Sequence, residues 1–154
     1  MLGKILHVGL VVDDMERAVK MFEDLLEVQF NRKQIVDAGF GHATFLRVGD
    51  VEIEIMKPTD PANHYTKLLR EKGPCLSHIC FGVPDTEAAV RRLREKGIRF
   101  LPGFDSVGVT PRGLKIVFLD PAQTEGIIVQ IAQDDRPFED RTAFYKAGPG
   151  AEEG

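Results

Sequence analysis

The stretch that decides the fold is Ser77-His78-Ile79-Cys80-Phe81-Gly82-Val83-Pro84-Asp85. A matching stretch near the start of the chain is His7-Val8-Gly9-Leu10-Val11-Val12-Asp13-Asp14. In each, a histidine opens an apolar run with the composition of a β-strand. Each run ends in an aspartate that leads into an amphipathic helical pattern. We infer that the two halves of the chain are copies of one unit.

A second pair of stretches extends the repeat. Val51-Glu52-Ile53-Glu54-Ile55-Met56 and Ile127-Ile128-Val129-Gln130-Ile131-Ala132 are both β-rich runs that set a polar side chain among aliphatic ones. Each half therefore has one histidine and one later chelating side chain. Such side chains bind metals when separate strands bring them together. The repeat predicts that four side chains converge on a metal site: His7, Glu54, His78 and Gln130.

The helical patterns that follow the two histidine strands have recognisable ends. The first predicts a helix from about Met15 to Leu26, with Asp13 as its N-cap and Glu16 completing a capping box. The second begins after the N-cap Asp85 and ends at Gly97. Both halves are thus predicted to open with a strand followed by a helix.

The rest of each half reads as three further strands, which gives the order βαβββ. In the first half a hairpin turn at Gly49-Asp50 joins two of them, and Lys57-Pro58 ends the second. A short helix is predicted within the connection between the halves. A Gly/Pro-rich loop in the second half is long enough to suggest a mobile segment. The predicted ranges are strands at 5–12, 42–48, 51–56, 76–83, 98–101, 114–119 and 126–132, a strand or loop at 28–36, the helix at 65–71 and the loop at 102–112.

Length and composition indicate a soluble cytoplasmic protein. A chain of 154 residues with 43% hydrophobic residues suits one domain, or two small modules sharing a core. The net charge of -4 argues against a nucleic acid partner, and no run approaches the length of a membrane span. The thiols of Cys75 and Cys80 are expected to be reduced, as in the cytosol. The tail, 134–154, is polar and its end is expected to be disordered; Phe138, Phe144 and Tyr145 could anchor its start.

Each candidate also has an ordinary structural interpretation. A lone strand histidine is more often a satisfied core or surface residue than a ligand, Glu54 could face solvent, and Gln130 could be a core amide. It is the repeat that favours the metal. His42 has no counterpart in the second half, and His64 is expected at the surface. Asp37 could reach a substrate held on the metal, or could serve only as a turn aspartate.

These residues resemble the vicinal oxygen chelate superfamily, which includes glyoxalase I, extradiol dioxygenases and antibiotic-resistance proteins. The resemblance spans about 5–133 and is greatest to the methylmalonyl-CoA epimerases. The stretches that carry it are Ile53-Glu54-Ile55-Met56-Lys57-Pro58, Leu76-Ser77-His78-Ile79-Cys80-Phe81, Val117-Phe118-Leu119-Asp120-Pro121 and Gly126-Ile127-Ile128-Val129-Gln130.

The resemblance implies an α+β fold in which two βαβββ modules, about 5–60 and 75–133, form a cupped half-barrel. The modules make one domain, 1–133, followed by the tail. One divalent metal ion per chain, whether cobalt, manganese, zinc or nickel, is implied at the four positions already named. Because half-barrels of this kind have exposed sheet edges and usually pair, a homodimer is expected.

The resemblance also implies a reaction, and one residue departs from its pattern. The epimerases remove an α-proton beside a thioester and return it on the opposite face, with the metal stabilising the enolate. They usually carry glutamate where Gln130 stands, and a glutamine cannot exchange a proton near neutral pH. Asp37, which falls at the position of the family's other acid/base by ungapped counting, and Glu54 are therefore the predicted catalytic pair. The substrate that the resemblance implies is an acyl-CoA thioester, namely methylmalonyl-CoA.

Three alternatives use the same site. A glyoxalase I-like lyase would act on a glutathione hemithioacetal. A dioxygenase would hold ferrous iron between His7, His78 and Glu54 with open coordination positions. A non-catalytic protein would bind a small molecule such as a drug in the cleft, and Gln130 in place of glutamate favours this option.

Overall fold

The structure is a computed structural model, and it describes residues 3–30, 35–104, 106–135 and the backbone of 145–147. The described residues form an α+β fold. The strands are β1 (Ile5–Val11), β2 (Val28–Phe30), β3 (Val36–Asp37), β4 (Gly41–Val48), β5 (Val51–Pro58), β6 (Cys75–Gly82), β7 (Gly108–Val109), β8 (Lys115–Phe118), β9 (Ile128–Gln133) and β10 (Tyr145–Ala147). The α-helices are α1 (Met15–Leu26), α2 (His64–Lys72) and α3 (Thr86–Glu95), and Pro121–Gln123 forms a turn of 3-10 helix.

The chain divides into two compact units. The first unit contains the residues up to Gly9 and Ser77–Asp135, and the second contains Leu10–Leu76 and β10. The first five residues of β1 thus belong with the second half of the sequence. The residues just before β1 are hydrogen-bonded to the end of β6, since Gly3 N donates to Gly82 O (2.8 Å) and Gly82 N donates to Lys4 O (2.7 Å). This division differs from the predicted modules, 5–60 and 75–133.

The first unit carries its strands in the order β1-β6-β9-β8-β7. β6 runs parallel to β9, and β8 runs antiparallel to β9. One face of these strands packs on α3 through a cluster formed by Val83, Ala89, Val90, Val117, Leu119 and Ile131. The register aligns Cys80, Gln130 and Phe118 across three strands on the other face. That second face is where the first unit presents its polar candidates.

The second unit carries its sheet strands in the order β3-β4-β5. The β4–β5 hairpin turns at Gly49-Asp50, as predicted, and Gly49 has the positive φ of 60° that the tight turn requires. Leu46 and Ile55 pack with Met15, Ala18 and Val19 of α1. Because side chains alternate along a strand, Glu54 lies on the opposite face from Ile55.

The first helix matches its predicted range, Met15–Leu26, but its predicted cap was wrong. The N-cap is Asp14, whose side chain accepts a hydrogen bond from Arg17 N at 3.0 Å. Asp13 instead pairs with the Arg17 guanidinium. The cap shifts by one residue because Asp14 is the last residue with extended φ and ψ, so Glu16 does not complete a capping box. The prediction of Asp85 as the N-cap of α3 is confirmed, since it accepts from Ala88 N at 2.8 Å.

Several strand predictions need correction. The predicted strand 98–101 is reduced to an isolated bridge between Phe100 and Leu119. β5 continues through Pro58, which lies opposite Gly41 at the end of the ladder, where a missing N–H is tolerated. The predicted loop 102–112 contains β7, which pairs with β8.

The tail contributes a strand that the sequence did not predict. β10 pairs antiparallel with β2, with residue 145 opposite Phe30. The predicted anchors Phe138 and Phe144, and the predicted disordered end at 148–154, lie outside the described residues.

Candidate metal centre

The two histidines that open the repeated strands meet in the first unit. Nε2 of His7 lies 3.0 Å from Nε2 of His78. The rings stand almost perpendicular, at 89°, with centroids 5.1 Å apart. Both are buried, with 3% and 1% of their surface exposed. Two buried ring nitrogens thus point at each other from sequence positions 71 residues apart.

The separation of the two nitrogens fits a shared metal ion. Nitrogen ligands sit about 2.1 Å from a divalent transition metal, so two of them at a right angle would be about 3 Å apart. The observed distance of 3.0 Å has that value. The imidazole pair therefore has the spacing of adjacent ligands around one ion.

The surroundings of His7 keep its ring in the form that binds metal. Burial lowers the pKa of His7 to about 3, and the positive charge of Arg112 lowers it too, while Gln130 and Asp134 act in the opposite direction. The imidazole is therefore neutral at pH 7. A neutral imidazole can donate a lone pair to a metal without first losing a proton.

Gln130 is the third candidate ligand in this unit. Its side chain lies close enough to raise the pKa of His7, and only 4% of the residue is exposed. Its carbonyl oxygen Oε1 is buried without a hydrogen bond of normal geometry among the described residues. A buried carbonyl in that state calls for an explanation. Coordination of a cation would satisfy it.

A set of close contacts fixes the ring of His78. Ser77 Oγ lies 2.9 Å from His78 Nδ1 and 3.0 Å from Gly9 O. On another side, the Phe118 ring meets the His78 ring edge to face with centroids 5.7 Å apart. Phe104 packs against Phe118 in turn, at 4.8 Å. The histidine is thus held by a polar contact at Nδ1 and an aromatic contact on its ring.

Gly9 leaves the space that the His78 ring occupies. A Cβ at this position would overlap Cε1 and Nδ1 of His78 and would lie 2.9 Å from Ser77 Oγ. The φ angle of Gly9 is not positive, so the backbone conformation does not require glycine here. The position requires glycine because a side chain would overlap the His78 ring.

Gly9→Ala is therefore expected to displace His78 and to weaken metal binding by more than tenfold, as metal sites lose affinity when ligand orientation is lost. The measurement is titration of purified protein with Co²⁺ or Zn²⁺. Gly108→Ala is the matched control, because a Cβ on this other strand glycine would make only ordinary contacts at 3.9 Å. Equal metal affinity in the two variants would contradict the packing argument.

The structure places the predicted acid/base pair apart within the second unit. Glu54 is half-buried opposite Phe45, whereas Asp37 is exposed and lies opposite His42, which in turn lies opposite Lys57. Directly opposed residues share a face, so Asp37 is on the other side of the sheet from Glu54. Its Oδ1 accepts a hydrogen bond from Gly39 N at 2.8 Å, which is the turn role. The catalytic role of Asp37 and the ligand role of Glu54 stay predictions.

The two remaining histidines differ from each other. His42 is exposed on β4. His64, expected at the surface, is half-buried at the start of α2, where its ring contacts that of Tyr65 with centroids 3.9 Å apart and planes tilted by 44°. Burial lowers the pKa of His64 to about 4. Its position follows from the helix, which begins one residue earlier than predicted.

Sequence reasoning missed three contributors to the centre. Ser77 and Phe118 touch His78, and Arg112 acts on His7 through its charge. Ser77 stands beside His78 in the sequence, but its spacing from other residues does not indicate that its hydroxyl contacts Gly9. Arg112 lies in the Gly/Pro-rich loop, and the sequence of a loop does not indicate which other residues its side chains will approach.

The fold and the histidine pair define the class of protein to which the chain belongs. Residues 6–118 match the profile of the Glyoxalase/Bleomycin resistance protein/Dioxygenase superfamily. The chain belongs to that superfamily.

Its curated relatives point to one group of enzymes within the superfamily. The mitochondrial methylmalonyl-CoA epimerase of Mus musculus is 28% identical over 133 residues, which cover 86% of this chain and 74% of that protein. The ethylmalonyl-CoA/methylmalonyl-CoA epimerase of Cereibacter sphaeroides is 29% identical over 135 residues, covering 86% and 99%. The predicted resemblance to the epimerases is confirmed.

Solved structures confirm the predicted fold class. The methylmalonyl-CoA epimerase of Mycobacterium tuberculosis matches with a TM-score of 0.74 at 23% identity, over 91% of this chain and 93% of that one. A variant of the Streptomyces coelicolor methylmalonyl-CoA epimerase, solved with 2-nitronate-propionyl-CoA, matches with a TM-score of 0.73 at 23% identity, over 88% and 96%.

The sequence predicted no membrane span, and the length and hydropathy of the helices test that prediction. Within the described part of the chain, none has the length and hydropathy that crossing a bilayer requires.

Proposed function

We propose that the protein is a metal-dependent epimerase that acts on methylmalonyl-CoA or a close acyl-CoA thioester. The observation that carries the proposal is the buried pair His7 and His78, with Nε2 atoms 3.0 Å apart, with His7 neutral and with Gln130 beside it. The epimerase names of its relatives support the choice of reaction.

His7, His78 and Gln130 would hold the ion, and we propose that Glu54 completes the set. Glu54 occupies in its half the position that Gln130 occupies in the other, and the two histidines and this glutamate are ligand types suited to a divalent ion. When bound, the ion would act as a Lewis acid toward the negative charge that develops on the substrate as its α-proton leaves. Cobalt, manganese, zinc and nickel all suit such a donor set.

The chain's own residues must move the proton. The imidazole of His7, with a pKa of about 3, is too weak a base for this task at pH 7. Gln130 has no proton to exchange near neutral pH. Glu54 is the one carboxylate among the four positions, so we assign it the acid/base role on one face of the substrate.

Asp37 is the second acid/base in this proposal. To reach a substrate on the face of Glu54, its carboxylate would have to release Gly39 N and turn across the strand. The assignment to Glu54 does not depend on it.

The charge near the histidines supports an anionic substrate. Arg112 is half-buried, and its positive charge acts on His7 within the first unit. A guanidinium pairs well with a carboxylate, which a malonyl-type thioester carries next to its reacting carbon.

The decisive experiment is exchange of the α-proton of methylmalonyl-CoA in deuterated water by the metal-loaded protein. We expect exchange of the α-proton of methylmalonyl-CoA and none of propionyl-CoA, which has the thioester but lacks the free carboxylate. Metal-loaded protein that leaves the methylmalonyl-CoA proton in place would refute the epimerase proposal.

Gln130 favours one alternative, a binding protein without catalysis. His7 and this glutamine are neutral, and the first unit offers no carboxylate at the glutamine position. The same sample distinguishes the two functions. A binding protein would be stabilised thermally by acyl-CoA thioesters and yet catalyse no exchange, whereas a glyoxalase would turn over a glutathione hemithioacetal.

We also propose a homodimer in the cytoplasm. Met21, Leu25 and Leu26 on α1 are exposed to 46%, 67% and 43%, a larger apolar surface than one short helix needs to leave in water. Cys75 and Cys80 are free thiols, which suits a reducing compartment. Light scattering at micromolar concentration should give twice the chain mass; the mass of a single chain would contradict the dimer.

A further inference from the structure

Ser77 sits where it can decide which nitrogen of His78 carries the proton. Its hydroxyl lies 3.0 Å from Gly9 O and 2.9 Å from His78 Nδ1, and 6% of the residue is exposed. A carbonyl oxygen only accepts, and a hydroxyl has one proton to donate. Both contacts are hydrogen bonds only if Ser77 donates to Gly9 O and accepts from Nδ1–H of His78.

This assignment leaves Nε2 of His78 unprotonated and able to accept a hydrogen bond. The short contact to His7 then follows without conflict, because Nε2–H of His7 can donate to Nε2 of His78 at 3.0 Å. The three hydrogen bonds then run in one direction: His7 donates to His78, His78 donates to Ser77, and Ser77 donates to Gly9 O. At each of these three contacts a donor faces an acceptor.

We propose that Ser77 is a positioning residue for the metal centre, holding His78 as the tautomer whose Nε2 is ready to bind the ion. The proposal rests on the metal centre of the proposed function. A metal-bound histidine commonly donates its other N–H to a fixed acceptor, which sets the tautomer and orients the ring. Here the acceptor is the neighbouring hydroxyl, and Gly9 fixes the direction of that hydroxyl through its own carbonyl. With His7 and His78 both holding the ion through Nε2, His7 would carry its proton on Nδ1 instead.

The first experiment reads the tautomers directly in the metal-free protein. The chain has four histidines, so ¹⁵N correlation spectra of their side chains can be resolved and assigned by single substitution. We expect His78 to be protonated on Nδ1 and His7 on Nε2. Addition of Zn²⁺ should move the His7 proton to Nδ1 and leave that of His78 in place. Wild-type His78 protonated on Nε2 would overturn the proposal.

The second experiment removes the hydroxyl. Ser77→Ala should mix the two tautomers of His78 and lower Zn²⁺ affinity by about 10- to 100-fold, the usual effect of losing such a partner. Ser77→Thr keeps the hydroxyl and should restore both the tautomer and most of the affinity. Thr86→Val is the matched control, since Thr86 Oγ1 is a buried hydroxyl of the same unit that donates to Lys115 O at 2.9 Å, away from the histidines. It should change neither readout.

The outcomes separate this proposal from the proposed function, because no substrate is present. Unchanged tautomer and Zn²⁺ affinity in Ser77→Ala would overturn the positioning role, and so would failure of the wild type to bind Zn²⁺. A protein that binds Zn²⁺ as described but catalyses no α-proton exchange would overturn the epimerase alone.

Discussion

His78→Ala is expected to abolish tight binding of a divalent metal. His78 is the most enclosed of the candidate ligands, with 1% of its surface exposed, and its Nε2 has the spacing to His7 of a neighbouring ligand. Its loss would leave the ion without one of its two nitrogen ligands and would open a cavity between Ser77 and Phe118. Loss of a residue that only orients a metal ligand lowers metal affinity by up to about 100-fold. Loss of the ligand itself should lower the affinity by at least that much.

His7→Ala should have an effect of the same size, since the two rings have equivalent places in the repeat. Metal content after dialysis, measured by elemental analysis, is the readout. His42→Ala is the matched control, because His42 is also a strand histidine but is exposed. If His7→Ala and His78→Ala both retained the stoichiometry of the wild type and of His42→Ala, the ligand assignment would be refuted.

The parts of the fold that were predicted correctly depend on local periodicity. α1 has its predicted range because its apolar residues recur at helical spacing, and the β4–β5 hairpin turns at Gly49-Asp50 because few residues besides glycine accept its φ. The N-cap was misplaced because Asp13 and Asp14 are equally good capping residues. Only the backbone angles of the folded chain distinguish them.

The candidate site also has a part that the sequence predicts and a part that depends on the folded structure. The repeat pointed to His7 and His78, which lie together, and to Gln130 beside them. It could not reveal the hydrogen bond from Ser77 to Gly9, because that contact joins residues 68 positions apart and depends on the register between strands. Counting back from Glu54 pointed to Asp37 but could not foresee on which face of the sheet it would lie. A two-residue strand and a turn set that face.

The roles proposed for Glu54, as base and ligand, and for Gln130, as ligand only, are tested most informatively by the substitutions Glu54→Gln and Gln130→Glu. Glu54→Gln leaves the metal with neutral ligands, so binding should persist but weaken. Exchange of the α-proton should fall by roughly a hundredfold or more, the usual scale for losing a general base. Gln130→Glu introduces the residue that the family resemblance implies at this position. It adds a negative ligand, so metal affinity should hold or rise and exchange activity should survive.

Measurement of both variants at saturating metal separates loss of a ligand from loss of a base. Gln130→Glu also has a signature in the metal-free protein, because it buries a carboxylate beside the neutral His7 ring, where only 4% of Gln130 is exposed. The metal-free variant should therefore unfold at a lower temperature than the wild type, and added metal should restore its stability by pairing with the new charge. If Glu54→Gln kept full exchange activity with metal bound, Glu54 would be a ligand only. The proton transfer would then have to rest on Asp37 and a second group, and the assignment of the base to the second unit's central hairpin would be wrong.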